Sequence, residues 1–530
     1  MVLEIILIQK IKWQHKEKKV NKPLNIVFIT SDQQRGDCYG FEKRKVKTPH
    51  LDELASEGTR FKNCITPNAV CMPARSSMLT GLLPRTHGVS DNGIDLNPDI
   101  GEKGFGRTFA NNGYKSGFVG KLHFSSNKTF EPTGTPECRF SLAKLGPEWF
   151  GPYMGFDHVE TMVGGHYAGL DGALPAPPDV HHYERWLHSG GMGAKRSEQY
   201  GTKLPPDLNI PQTWNSGLPV AFHNSTWVGN QTIRFIEKNK DNPFVLWSSF
   251  PDPHTPFNCP EPWCYMYNPD EVDLPENPER DFHRRPWWHK KSFEGKPNMP
   301  DEGLVKHRAK WSRIFPPEEK KMRHLIANYY GMISLIDHNV GRIMTALNEA
   351  GISENTLVVY TADHGDWLGD HGLLLKGPIL YESLLRVGCI MKGPNVPKNI
   401  VVEDPVSTLD IPATFYDYAN ISKPMDLNGK SLMGLMKNKE NRDFAYNEWD
   451  LRSSRTGLAL NLRVARTKDA KLVYEEISET GEMYILSEDP GEMDNVYNDP
   501  AYSKVQKELM DMIRSRPDDA LPEIEQVAMS

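Results

Sequence analysis

Cys71 opens the run Cys71-Met72-Pro73-Ala74-Arg75, which continues Ser76-Ser77-Met78-Leu79-Thr80-Gly81. Pro73 suits the first turn of a helix and Gly81 the position just past its end. The spacing therefore predicts a short helix with Cys71 at its N-terminus. Free N–H groups and the helix dipole favour an anion there, and Arg75 follows one turn later. A cysteine alone is more often an inert buried thiol, so the weight rests on its company.

That company sits at the ends of apolar runs that read as strands. Asp32 follows Leu24–Thr30, Lys121 and His123 follow Lys115–Val119, His254 follows Phe244–Phe250, and Asp363 and His364 follow Thr356–Thr361. In open parallel sheets ligands bind beyond the carboxyl ends of the strands, so two acids, three histidines and a lysine are expected on one rim. Asp32 and Asp363 can offer hard oxygen ligands to a divalent cation, as can the Gln33 carbonyl oxygen. The His364 imidazole keeps zinc or manganese open beside harder ions. A sulfate or phosphate ester needs such a cation together with basic groups around its remaining oxygens, and Arg75, Lys121, His123 and Lys376 can form that ring.

The elements that must carry these residues alternate. Pro49–Glu57 reads as a helix stopped by Gly58, and a helix ends at Gly113. Trp227–Lys238 and His324–Glu349 read as helices before strands, and another helix lies between Pro405 and about Asn420. Alternation of helix and apolar strand implies crossovers and a mostly parallel α/β sheet. Beyond about residue 440, Leu462–Arg466, Lys471–Glu475 and Met483–Leu486 stand at hairpin spacing before a final helix, Ser503–Arg514. We expect a catalytic α/β domain over 24–440 and a small antiparallel subdomain with a terminal helix over 441–530. The Pro- and Trp-rich residues 255–325 read as an ordered loop insertion, with Arg284–Lys291 a solvated surface.

With 530 residues the chain can bury a large core, and its net charge of -7 gives no support for nucleic-acid binding. Seven scattered cysteines argue against a disulfide framework, though Cys259 and Cys264 stand close enough in sequence to pair. The apolar stretch within Met1–Ile11 contains Glu4 and has its lysines on the wrong side for a secretory signal, and it is too short to span a bilayer. A cytoplasmic location is expected, or a periplasmic or secreted one if the start site is misassigned.

The Cys71 motif resembles the Cys-x-Pro-x-Arg signature of the formylglycine-dependent sulfatases, within the alkaline phosphatase superfamily. Leu83-Pro84-Arg85-Thr86-His87-Gly88, Gly120-Lys121-Leu122-His123, Pro253-His254-Thr255-Pro256-Phe257 and the Asp363–His371 segment with Lys376 resemble further family elements. Asp32-Gln33 and Asp363-His364 look more like choline sulfatases and phosphonate monoester hydrolases, whereas the Lys121-x-His123 pair favours sulfatases. The resemblance implies an alkaline-phosphatase-like fold and hydrolysis of a sulfate ester of a small molecule or saccharide. Cys71 would be oxidised to formylglycine by a maturation enzyme. One divalent metal is implied, calcium in the typical family site with manganese, magnesium or zinc as alternatives, on Asp32, Gln33, residue 71, Asp363 and His364. Cys71, Arg75, His123, His254 and Lys376 would be catalytic, and Lys121 and Asn92 would bind substrate. His166, His181, His182 and the 255–325 insertion are candidates for specificity. The competing expectations are a phosphonate monoester or phosphodiester hydrolase using the same site, and a non-catalytic anion- or glycan-binding protein in which Cys71 stays a thiol.

Overall fold

The computed structural model describes residues 24–528 apart from 143, 163–180, 299–301, 304 and 307–314. The Met1–Ile11 stretch, His166 and parts of the 255–325 insertion lie outside the described residues. Eight strands form one sheet: β1 (Asn25–Ser31), β2 (Thr59–Ile65), β3 (Lys115–Gly120), β4 (His158–Thr161), β5 (Phe244–Ser249), β6 (Thr356–Ala362), β7 (Arg386–Lys392) and β8 (Ile400–Ser407). Their spatial order is 8-2-7-6-1-5-3-4. Every neighbouring pair is parallel except those of β7, which runs antiparallel to both β6 and β2.

Strand β1, NIVFITS, is buried along its whole length, because both faces of the sheet are covered. Ile26 and Phe28 pack on one side with Phe105 and Phe415. Val27 and Ile29 pack on the other with Trp227 and Ile336. The covering helices are α1 (Pro49–Ser56), α2 (Cys71–Thr80), α3 (Phe105–Asn111), α4 (Asn224–Asn239), α5 (Glu319–Glu349) and α6 (Asp410–Ala419). A second sheet, β9 (Ala445–Leu451), β10 (Leu460–Arg466), β11 (Ala470–Glu475) and β12 (Thr480–Ile485), is antiparallel throughout, with α7 (Ser503–Arg514) burying Leu509 and Ile513 against it.

Sequence reading leaves out β2, β4, β7, β8 and β9. In β2, TRFKNCI, Arg60 and Lys62 break the apolar run, and in β7, RVGCIMK, Gly388 does. The helix expected between Pro405 and about Asn420 is α6, and Pro405–Ser407 instead end β8. The solvated reading of Arg284–Lys291 holds in part, since Arg284, Trp287, Lys290 and Lys291 are exposed but Arg285 is buried. Trp288 and His289 are buried in the helix Trp287–Glu294, His289 Nε2 lies 3.1 Å from Glu482 Oε1, and Arg285 stacks over Tyr381 and Tyr484. The C-terminal sheet supplies acidic and aromatic partners that local charge density could not reveal.

Candidate active site

Since all strands of the large sheet but β7 run one way, the carboxyl ends of β2, β6, β1, β5 and β3 share an edge. The chain after β2 enters α2 with Cys71 as its first residue. Asn68 Oδ1 accepts the Val70 N–H at 3.0 Å, and Asn92 Oδ1 accepts the Met72 N–H at 3.0 Å. Gly81 closes the helix at φ 73, a left-handed turn that glycine adopts without strain. Cys71 is buried at 1% exposure. Its Sγ lies 3.2 Å from His364 Nε2, 3.1 Å from Lys376 Nζ, 3.8 Å from Asp32 Oδ1 and 3.9 Å from Lys121 Nζ. His123 and His254 lie close enough to the thiol to interact with it.

One turn into α2, the Arg75 guanidinium ties four strand ends together. Its Nε donates to Asp363 at 2.9 Å and Nη2 to Asp32 at 3.1 Å. Its Nη1 donates to the Lys121 carbonyl at 2.8 Å and to Ser249 Oγ at 2.7 Å. Lys121 also pairs with Asp32. Gln33 and His123, just past β1 and β3, hold φ of 66° and 60°. Such backbone strain concentrates where a site over-determines its geometry. The turn at His123 is held by Glu137, whose carboxylate accepts the N–H groups of His123, Phe124 and Ser125 at 2.6, 3.1 and 2.9 Å.

The charges set the protonation states. Burial pushes the Cys71 thiol up, but Lys121, Lys376 and His364 outweigh it and hold the thiol well below its usual range. Burial and the Cys71 sulfur push Asp32 up, yet Lys121, His254 and Arg75 bring it well below an ordinary carboxylate. Burial, with Lys376 and Lys121, lowers His254 to about 4. Burial likewise lowers His123 to about 4. His254 Nδ1 lies 2.6 Å from the Thr255 carbonyl, which can only accept, so Nδ1 carries the proton and Nε2 the lone pair.

The same logic fixes His364. Its Nδ1 meets the Gly365 carbonyl at 2.9 Å, leaving Nε2 as the acceptor turned to the cluster. Asp32, Cys71, Asp363 and His364 hold their donor atoms within 4.8 Å of one another, all buried. His364 Nε2 is 3.9 Å from Asp32 Oδ1 and 3.8 Å from Asp363 Oδ1. Two carboxylates, an imidazole and a sulfur this close together fit a divalent ion. Burial lowers His364, but Asp363 and Cys71 outweigh it and raise the group; a cation on Nε2 would compete with a second proton there.

The sequence-nominated residues Asp32, Cys71, Arg75, Lys121, His123, His254, Asp363, His364 and Lys376 thus meet. The backbone carbonyl of Gln33 turns away and accepts the Tyr329 hydroxyl at 2.7 Å, so it is the side-chain oxygen that faces the cluster, 3.0 Å from Lys376 Nζ. Asn92 is buried and stands behind Met72 as the cap described above. His181 and His182 are also buried, with ring nitrogens near the carbonyls of Pro136 and Trp149. Sequence reasoning missed Ser249 and Glu137. Ser249 was legible as a polar strand end, but Glu137 lies in a loop without any periodic signal. A cavity of about 610 Å³, lined by Arg35, Asp370, Glu382 and Arg466 among others, lies apart from this cluster, and its ions pair among themselves.

Residues 24–421 match the sulfatase family and residues 369–518 the family described as N-sulphoglucosamine sulphohydrolase, C-terminal. The chain belongs to the sulfatase family. An arylsulfatase of Clostridium perfringens is 29% identical over 505 residues, 92% of each chain. An N-acetylglucosamine-6-O-sulfatase of Bacteroides thetaiotaomicron is 25% identical over 94% of this chain and 87% of its own. The crystal structure of the phosphonate monoester hydrolase of Agrobacterium radiobacter shares the fold, with a TM-score of 0.72 at 24% identity over 93% of this chain and 95% of that one. As a sulfatase, this chain is an enzyme of the sulfuric ester hydrolase class.

Proposed function

We propose that this sulfatase cleaves a sulfate monoester of a saccharide or small alcohol through a formylglycine formed at Cys71. The observation that carries the reading is the seat of Cys71. Its sulfur lies among the donor atoms of two acids and an imidazole and faces the ammonium groups of Lys121 and Lys376. A serine ester formed in such a site would have to be hydrolysed at sulfur, whereas a hydrated aldehyde can release sulfate by breaking its own C–O bond. A divalent cation on Asp32, Asp363, His364 and oxidised residue 71, with the Gln33 side chain, would ease deprotonation of one hydroxyl and offset charge on the sulfate oxygens.

That hydroxyl, its proton given up to bulk water, attacks sulfur while the bond to the alcohol oxygen breaks. Lys121 and Lys376 bind the anion, and its charge raises His254 from its depressed state toward protonation, so that Nε2 delivers a proton to the leaving alcohol. His123, neutral in the free site, takes the proton of the second hydroxyl as the C–O bond to sulfate breaks and the aldehyde returns. Arg75 holds Asp32 and Asp363 in place throughout. Replacement of sulfur by oxygen leaves mainly oxygen donors, which suits calcium. A saccharide substrate is supported by the similarity to the N-acetylglucosamine-6-O-sulfatase.

The test is sulfate release from aryl, choline and saccharide sulfates by protein whose residue-71 peptide has the mass of the aldehyde. Cys71→Ala is expected to abolish release without lowering the thermal midpoint. Near-normal release by that variant would overturn the reading. The second reading, phosphonate ester hydrolysis, draws on Gln33 and His364; faster turnover of phosphonate than of sulfate esters would select it.

A further inference from the structure

We propose that residues 517–528 form a strap that positions the nucleophile-bearing end of α2, acting through Asn92. Chain segments beyond a last helix usually fray, but this one is anchored at each step. The Arg516 guanidinium, 2.7 Å from Glu448 Oε2 and largely buried, turns the chain away from α7. Leu521 then donates its N–H to the Arg85 carbonyl at 2.8 Å. Gln526 Nε2 donates to the Asn92 carbonyl at 2.7 Å, and its Oε1 accepts the Ser454 hydroxyl. Val527 and Ala528 both donate to the Gly93 carbonyl, at 2.8 and 3.2 Å, while Val527 accepts the Phe130 N–H at 3.0 Å. Ala528 is 0% exposed.

The receiving segment is shaped for this contact. Gly93 stands at φ +88, and a Cβ there would lie 1.9 Å from the Ala528 carbonyl oxygen; one at Gly88 would lie 2.3 Å from the Ile524 side chain. The opposite side of Asn92 and Gly93 touches the nucleophile helix. Asn92 Oδ1 accepts the Met72 N–H, and the Gly93 N–H meets Met72 Sδ at 3.2 Å. Two links therefore connect Gln526 to the residue next to Cys71. Met72 is in the first turn of α2, where N–H groups lack helical partners, so Asn92 decides how that turn is held. The strap fixes Asn92 from behind.

This inference rests on the proposed sulfatase chemistry for its kinetic arm only. A chain ended after Arg516 is compared with the full chain for kcat and KM on a sulfate ester and for amide exchange of the peptides covering 71–80 and 85–95. Because misplacement of a reacting group by about 1 Å can cost on the order of 10²-fold, kcat is expected to fall roughly 10- to 100-fold while KM changes little. Exchange should quicken in both peptides. A synthetic peptide of residues 517–530 should restore kcat and protection. If the shortened chain does not fold, Val527→Pro, which removes one donor to Gly93, takes its place, with a partial loss expected. Unchanged exchange at 71–80, or faster exchange spread over the whole Val527→Pro protein, overturns the proposal. Faster exchange confined to 71–95 in a protein without sulfate ester turnover supports the strap and defeats the sulfatase chemistry instead.

Discussion

Arg75 does more for this molecule than its place in a short motif suggests. It is fully buried, and its partners Asp32 and Asp363 are fully buried as well. Removing one member of a buried ionic network strands the others in a medium that solvates them poorly, at about 3–5 kcal/mol. Arg75→Ala should therefore lower the thermal midpoint sharply, since the two buried carboxylates would face each other without their shared counter-charge. Arg75→Lys keeps the charge but not the planar fork that reaches both carboxylates and two further oxygens. It should recover part of the stability and little of the activity, as read by calorimetry and sulfate release. Equal stability in Arg75→Ala and the parent would contradict this assignment.

At the scale of elements, the site depends on helices that borrow their caps from elsewhere. Thr48 precedes α1 without capping it through its side chain. Asp337, in the middle of α5, instead accepts the N–H groups of Leu51 at 2.8 Å and His50 at 3.3 Å. Helix α1 leads into β2, which leads into α2 and Cys71, so this cap sets one boundary of the path to the nucleophile. Loss of an N-terminal cap typically costs about 1 kcal/mol, and up to about 2 kcal/mol. Asp337→Ala should lower the thermal midpoint by a corresponding amount while Asp337→Asn, which keeps an oxygen acceptor, should lower it less. An unchanged midpoint in Asp337→Ala would show that water serves the helix equally well.

For the whole molecule, two families of buried groups pull stability in opposite directions with pH. Burial lowers His87, His181 and His371 to about 3, and His123 and His254 to about 4. Unfolded imidazoles near pKa 6.5 bind protons that these folded ones refuse, so stability rises with pH up to about 6.5. Burial raises Asp366 to about 6 and Glu137, Asp337 and Glu492 to about 7. These folded carboxyls keep protons that the unfolded chain has already lost above about pH 4, so their contribution falls as pH rises toward 7. Below 6.5 the two sets oppose each other, and above it only the carboxyls act. The thermal midpoint should therefore peak near pH 6–7 and decline on either side. A midpoint that climbs steadily through pH 8 would contradict the raised carboxyls.

Much of the site is legible in the residue order, for a physical reason. Strands buried on both faces are near-continuous apolar runs, and the polar residue that ends each run marks where the sheet meets solvent or a ligand. β1, β3, β5 and β6 and their terminal residues Asp32, Lys121, His254 and Asp363 follow from that alone, as does the helix start at Cys71 from Pro73 and Gly81. Local pattern could not show that β2 and β7 complete the sheet, because their polar positions are compensated by neighbours far away in sequence. Nor could it show the partners reached across the fold: Glu137 beneath His123, Asp337 above α1, the Glu482 carboxylate beside His289, or Gln526 behind Asn92. Those pairings span from 14 residues to several hundred, and only the packed chain brings their atoms within hydrogen-bond distance. Sequence by itself determined which side chains stand at the strand ends; tertiary structure decided which groups hold them there, since a hydrogen bond is specified by position in space and not by spacing along the chain.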